Sequence, residues 1–164
     1  MNIRLAKKSD LDELNILFKK VIIDMDKKKI NMWNDIYPFC EFEYDISNKR
    51  MYVIEHNDEI IGSFVLSDYD DPDYKSINWK YNEKWISLNR LAIIPEKQGK
   101  GYAKETIKYI EKEIIKQNYK VIRLTVYEKN IYAIGLYEKL GFDKVESGEY
   151  CINDKKFIGY EKII

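Results

Sequence analysis

The chain has 164 residues, 45% of them hydrophobic and 34% charged, which suits one domain (1–164) able to bury a core without disulfide or metal staples. Its 28 Lys and Arg balance 28 Asp and Glu, so no net field points to nucleic acid or to an anionic membrane surface. Cys40 and Cys151 lie far apart, His56 is the single histidine, and no apolar run reaches membrane-spanning length; no metal centre, redox motif or membrane span is expected. The N-terminus lacks the apolar stretch of a secretory signal, so a reduced, cytoplasmic setting is the default expectation.

Ile3, Arg4 and Leu5 read as a short opening strand. Ser9 is placed to cap a helix, with Asp10, Asp12 and Glu13 in its first turn, where they complement the helix dipole. Leu11, Leu14, Leu17, Phe18, Val21, Ile22 and Met25 recur at helical spacing and predict about four or five turns. Residues 27–48 mix aromatics with acids and predict a helix-turn around Met32 to Phe39, then a short helix at 41–46. This segment reads either as a flap packed on the domain or as the wall of a pocket, because exposed aromatics among acids suit an organic cation. Residues 51–55 and 60–66 alternate as strands about an Asn57-Asp58 turn, with His56 exposed at its edge. Residues 67–84 form a polar loop holding Asp68, Asp70, Asp71, Asp73, Tyr74, Trp79 and Tyr81; its acids either draw in an amine or are simply solvated.

Residues 86–94 read as the central strand. Ile86 and Leu88 share one face with Ser87 and Asn89 opposite, but after Arg90 the apolar Leu91 and Ile93 fall on the parity that was polar before. The parity of apolar residues therefore switches near Arg90, which suits a β-bulge at 89–91 or a strand buried on both faces. Pro95 stops the strand, and Gln98-Gly99-Lys100-Gly101-Tyr102-Ala103 leads into a long helix burying Ala103, Ile107, Ile110 and Ile114. Two glycines let the backbone turn tightly and present successive N–H groups where that helix begins. Unpaired donors and the helix dipole suit a phosphate or pyrophosphate, with Lys100 and Lys104 adding charge at the edge. The loop lacks the third glycine of a dinucleotide fold and the Gly-Lys-Ser/Thr of a Walker A loop. Lysines at 100, 104, 108, 112 and 116 form a stripe that Glu105, Glu111 and Glu113 interrupt, which reads as a solvated face. Residues 121–126 predict a further strand, Asn130 caps a short helix through Leu140 that Gly141 closes, and residues 144–161 fold back as a hairpin about Asn153-Asp154. The expected fold is an α/β sandwich on a mixed sheet.

Two motifs in order carry a resemblance. Pro95-x-x-Gln98-Gly99-x-Gly101-x-Ala103 after an apolar strand resembles the acyl-coenzyme A motif of the GCN5-related N-acetyltransferase (GNAT) superfamily. Asn130-x-x-Ala133-x-x-x-Tyr137-x-x-x-Gly141-Phe142, about thirty residues on, is similar to that superfamily's second signature. The opening strand and helix and the central hairpin match too, so the resemblance spans essentially the whole chain.

It implies a single-domain mixed β-sheet flanked by helices, with a splayed central strand pair forming the acyl-coenzyme A cleft. It implies that backbone groups of Leu91 and Ile93 receive the pantetheine arm, that amides of Gln98, Gly99, Lys100, Gly101, Tyr102, Ala103 and Lys104 hold the pyrophosphate, and that Asn130 lies on the pantetheine side. Trp33, Tyr37 and Asn89 are expected on the acceptor side. The implied reaction moves an acetyl group directly from acetyl-coenzyme A, the co-substrate, to a primary amine of a small molecule or peptide in a ternary complex. The amine, with a pKa of about 10, must lose a proton before it attacks. A donor must meet the charge developing on the acyl oxygen, and a backbone N–H at the 89–91 bulge is placed for it. The resemblance gives Tyr137 the role of protonating the departing thiolate; an aromatic on the inward face of a helix explains it otherwise. Many relatives carry a glutamate on the central strand, where this chain has Ser87, Asn89 and Arg90; Glu83, Asp70, Asp71 and Glu43 are the carboxylates left to act through water. The alternative is a non-catalytic acyl-coenzyme A binding or sensing module with the same fold. Neither nucleic acid nor membrane is an expected partner, and the chain is expected as a monomer or homodimer.

Overall fold

The computed structural model describes residues 1–69 and 71–164, with backbone alone at Asp73. Asp70, one of the carboxylates considered as a base, and the Asp73 side chain lie outside the described residues. The strands follow the order β1-β2-β3-β4-β5-β7-β6 in one mixed seven-stranded sheet, and helices flank it. The chain gathers into two compact units, Met1–Leu66 with Asn89–Thr106, and Ser67–Leu88 with Ile107–Ile164.

In the first unit, β1 (Asn2–Leu5) pairs antiparallel with β2 (Met51–His56), and β2 pairs antiparallel with β3 (Glu59–Ser67). Helix α1 (Leu11–Lys27) buries Leu14, Leu17, Phe18, Val21 and Met25, the stripe that its 3.6-residue period demands. Ser9 does not cap it. A short 3₁₀ turn at Lys8–Asp10 precedes the helix, and the Asp10 carboxylate accepts the Lys7 N–H at 2.7 Å. A carboxylate has acceptor capacity that a hydroxyl lacks, and Asp10 also takes Arg4 Nη1 at 2.8 Å. Hydrogen bonding from Arg4 outweighs burial and holds the Asp10 carboxyl below the usual range.

Helix α2 (Phe42–Ser47) follows a 3₁₀ turn at Phe39–Glu41, and the rings of Phe18, Trp33, Phe39 and Phe42 meet at 4.8–6.4 Å between centroids. At the hairpin tip, Asn57 and Asp58 both take positive φ, 52° and 63°, as a two-residue turn of primed type requires. His56 is half-buried rather than exposed, its ring edge-on to Tyr102 at 5.2 Å.

Gly62 on β3 lies close against residues 92 and 93. A Cβ there would lie 2.5 Å from the carbonyl oxygen of Ala92 and 2.7 Å from Ile93 Cδ1. Gly62→Ala should therefore cost roughly 1–3 kcal/mol by overpacking, a lowered midpoint in urea with unchanged m. An unshifted midpoint would show that the strands part freely at this point.

In the second unit, the start of β4 (Trp85–Ile93) runs parallel to β5 (Val121–Tyr127), through Trp85↔Val121, Ile86↔Ile122 and Ser87↔Arg123. Among the described residues, that ladder ends at Ser87. Strand β5 pairs antiparallel with β7 (Lys155–Ile163), and β7 with β6 (Asp143–Ile152), so the closing hairpin inserts its second strand next to β5. Residues 67–84 are more than a solvated loop. Tyr74 and Trp79 pack edge to face, and Tyr74 also meets Tyr150, which stacks on Phe157. Buried Glu161 accepts the N–H groups of Lys80 and Tyr81 at 2.7 and 3.4 Å. The Arg123 guanidinium lies over the rings of Trp79 and Trp85, 4.8 Å from each centroid, and donates to the Tyr81 carbonyl.

Candidate active site

The end of β4 and the start of α3 (Tyr102–Lys116) carry most of the expected site. Gly99 and Gly101 have φ of +71° and +89°, left-handed values that L side chains adopt only at a cost, and a Cβ on either would meet no protein atom within 4 Å. The space above both glycines is open. The first bond of the helix ladder runs from the Glu105 N–H to the Gly101 carbonyl at 3.0 Å. The N–H groups at residues 99–104 find no acceptor among the described residues. Six donors in series over an open face fit an oxyanion-rich group such as a pyrophosphate.

Gln98 plays a different part from the one expected of its amide. Its N–H closes the turn onto the Pro95 carbonyl at 3.2 Å, and its side chain Nε2 donates to the Ile93 carbonyl at 2.9 Å. Gln98 thus braces the strand end against the loop. Lys100 Nζ donates to the Glu96 carbonyl at 2.9 Å while Lys104 is exposed, so both cations flank the amide row.

Both expectations for β4 find support: Arg90 has a φ of +51° in the middle of the strand, and Ile86, Ser87 and Leu88 are buried in succession, as on a strand covered on both faces. Asn89, Arg90 and Leu91 are half-buried between buried Leu88 and buried Ala92 and Ile93. Arg90 is fixed by its side chain: Nη2 pairs with the carboxylate of Asp45 on α2, and Nη1 donates to Tyr37 Oη at 3.2 Å. Burial pushes the Asp45 carboxyl up, and the Arg90 guanidinium opposes that rise. Tyr37 belongs to a turn organised by Asn34, whose side-chain oxygen accepts the Ile36 and Tyr37 N–H groups at 2.8 and 2.9 Å. Trp33, by contrast, is buried against Phe18 at 5.4 Å and serves the core.

Sequence reasoning missed the Arg90–Asp45 pair. One signal was present: Asp45 sits between Phe42 and Ile46 at helical spacing, on the buried face of α2. Of the carboxylates considered as bases, Glu43 and Glu83 are exposed and Asp71 is half-buried.

In the second unit, Asn130 caps α4 (Ile131–Lys139), its side-chain oxygen accepting the Ala133 N–H at 3.1 Å. Tyr137 is buried, 8% exposed, with its ring edge-on to Phe142 at 5.4 Å. Its hydroxyl meets no hydrogen-bond partner among the described residues. Burial pushes the phenol well above its ordinary value, so it carries its proton throughout the neutral range. Among the described residues no group of three His, Cys, Asp or Glu side chains converges as a metal site, and no helix is long and apolar enough to cross a membrane.

Strand β4 leaves its parallel neighbour after three pairs and is followed by a row of amides with no acceptor among the described residues, the arrangement that the resemblance implies for an acyl-coenzyme A cleft. The profile of the Acetyltransferase (GNAT) family matches residues 19–142, and the chain belongs to that family. An acetyltransferase of Pectobacterium atrosepticum is 28% identical over 160 residues, which is 96% of this chain and 100% of that protein. A Staphylococcus aureus Mu50 structure classed among acetyltransferases is 30% identical, with a TM-score of 0.77 over 99% of both chains. A Salmonella typhimurium structure with acetyl-coenzyme A as its cofactor is 17% identical, with a TM-score of 0.68 over 99% of this chain and 92% of that one, a likeness of fold.

Proposed function

We infer that the chain is an acetyl-coenzyme A-dependent N-acetyltransferase that moves the acetyl group directly to a primary amine of a small molecule or peptide. The observation that carries this reading is the open row of unpaired amides at residues 99–104, set directly after the bulged strand. Family membership supports the cofactor, and the amide row fits its pyrophosphate. When bound, acetyl-coenzyme A supplies an activated acyl group as a thioester.

The chain's own residues then have distinct tasks. The amides of Gly99 to Lys104 hold the phosphates, and backbone groups of Leu91 and Ile93 hold the arm. An N–H at 89–91 meets negative charge on the acyl oxygen. Tyr137 keeps a proton to give to the departing sulfur. Tyr37 and Asn89 lie on the acceptor side, and Asn130 holds the start of the helix that carries Tyr137. The reading places the enzyme in the cytoplasm, as a monomer or homodimer without nucleic-acid or membrane partners.

The test is acetyl-coenzyme A turnover against a panel of small amines and peptide N-termini, read as thiol release with mass spectrometry of the acceptor. Amide-forming turnover well above the uncatalysed rate is expected with at least one acceptor class. Tight binding of acetyl-coenzyme A with no turnover on any amine would leave the chain as a binding module.

A further inference from the structure

The left-handed residue in β4 is an arginine, and its conformation is not free. A non-glycine residue at positive φ costs on the order of 1–3 kcal/mol, and it persists where surrounding contacts over-determine it. Here the contacts are identifiable: the Asp45 carboxylate from α2 and the Tyr37 hydroxyl, both on the Arg90 guanidinium. Asp45 is 3% exposed and so is itself immobilised by the core around Phe42 and Ile46. Arg90 Nε is buried and donates to no acceptor among the described residues, an unpaid donor that the arrangement tolerates. The guanidinium therefore links three places at once: the bulge of β4, the buried face of α2 and the Asn34–Tyr37 turn.

We propose that Arg90 is a positioning residue for acetyl transfer: clamped by Asp45 and Tyr37, it sets the direction of the backbone N–H groups at 89–91 and holds the Tyr37 turn beside them. This rests on the acetyltransferase reading above. The bulge amides serve the reaction only if they are aimed before the substrate arrives, since donors that must reorganise during the reaction lose most of their effect. A fixed planar fork with two anchors does this; a lysine at the same position would supply charge without the fork.

Three variants test it. Asp45→Asn keeps the size of the side chain and removes its charge; Arg90→Lys keeps the charge and removes the fork; Arg90→Gly relieves the positive-φ strain and removes the clamp altogether. Each is expected to lose kcat about tenfold or more while the Kd for adenosine diphosphate, which has no pantetheine arm to reach residue 91, stays within about twofold. Arg90→Gly is the discriminating variant. If arginine were only a structural support for a strained backbone, glycine would adopt that backbone at no cost and kcat would match wild type, which overturns the proposal.

A second readout is independent of turnover. In ¹⁵N spectra, Asp45→Asn should broaden or shift the amide signals of residues 89–91 and leave those of 99–104 in place. Unchanged 89–91 amides in that variant would overturn the clamp even where activity is lost. If the wild-type chain acetylates no amine, the acetyltransferase reading falls, and these amide signals still decide whether the clamp exists.

Discussion

A chain carrying both Gly99→Val and Gly101→Val is expected to show no rise in Tm with acetyl-coenzyme A, while the wild type rises by about 5–10 °C at a hundredfold excess over Kd. The wild-type figure follows from mass action: a ligand at 100 Kd stabilises the fold by about 2.7 kcal/mol, and each kcal/mol moves Tm by about 2–4 °C at this size. The loss has two parts. Each valine must adopt a φ of +71° or +89°, a strain of roughly 1–2 kcal/mol apiece that tilts the loop away from its observed course. A Cβ at either position meets no protein atom within 4 Å, so each added side chain starts into the open space where a phosphate would face the amides. The variant should still fold, at a lower Tm, because nothing in the core is touched. A variant that keeps the full shift would remove this loop from the binding site. Adenosine diphosphate, which lacks the pantetheine arm, should stabilise the wild type much less than acetyl-coenzyme A.

Tyr137→Phe is expected to lower kcat by roughly 10²–10⁴-fold, about 3–5 kcal/mol of barrier, with little change in Tm. The ring sits buried against Phe142, so phenylalanine retains that contact, and the hydroxyl has no partner among the described residues to lose. Tyr137→Ala should lose the same activity and also about 3–5 kcal/mol of stability, because it opens a cavity. The pH dependence separates the roles further. With its phenol pushed above the ordinary value by burial, Tyr137 should not produce a falling limb in the kcat profile near pH 10. For stability the sign is fixed: the unfolded chain releases this proton from about pH 10 while the folded chain retains it, so the contribution is intact below about pH 10 and lost as pH rises beyond it. Tyr137→Phe should flatten that alkaline loss. A phenylalanine variant with unchanged kcat, measured where chemistry limits the rate, would return Tyr137 to the core.

Local patterns carried much of this protein openly. The stripe from Leu14 to Met25 wrote α1, the pair Asn57-Asp58 wrote the hairpin turn, and Asn130 with Gly141 bracketed α4. Gly99 and Gly101 take the positive φ that glycine makes cheap, and the parity switch on β4 falls at the left-handed Arg90. These features are legible because their causes act over a few residues: period, capping and turn chemistry depend on immediate neighbours.

What only the tertiary structure decided is which distant groups meet. Arg90 and Asp45 are 45 residues apart, and Glu161 reaches back 81 residues to the Lys80 N–H. Neither pairing has a local signature, because periodicity says which face of an element is buried and not what lies against it. Trp33 shows the same limit from the other side. Its segment read equally as a flap packed on the domain or as a pocket wall, and it is the ring of Phe18 packed against it that puts Trp33 in the core. The strand order, with β7 inserted between β5 and β6, was likewise undetermined by hairpin signals alone, since a hairpin can add to a sheet by either strand. The amide row was written in the loop. The clamp that aims the bulge beside it was created only by folding, which brought an arginine and a buried carboxylate from separate elements to one point.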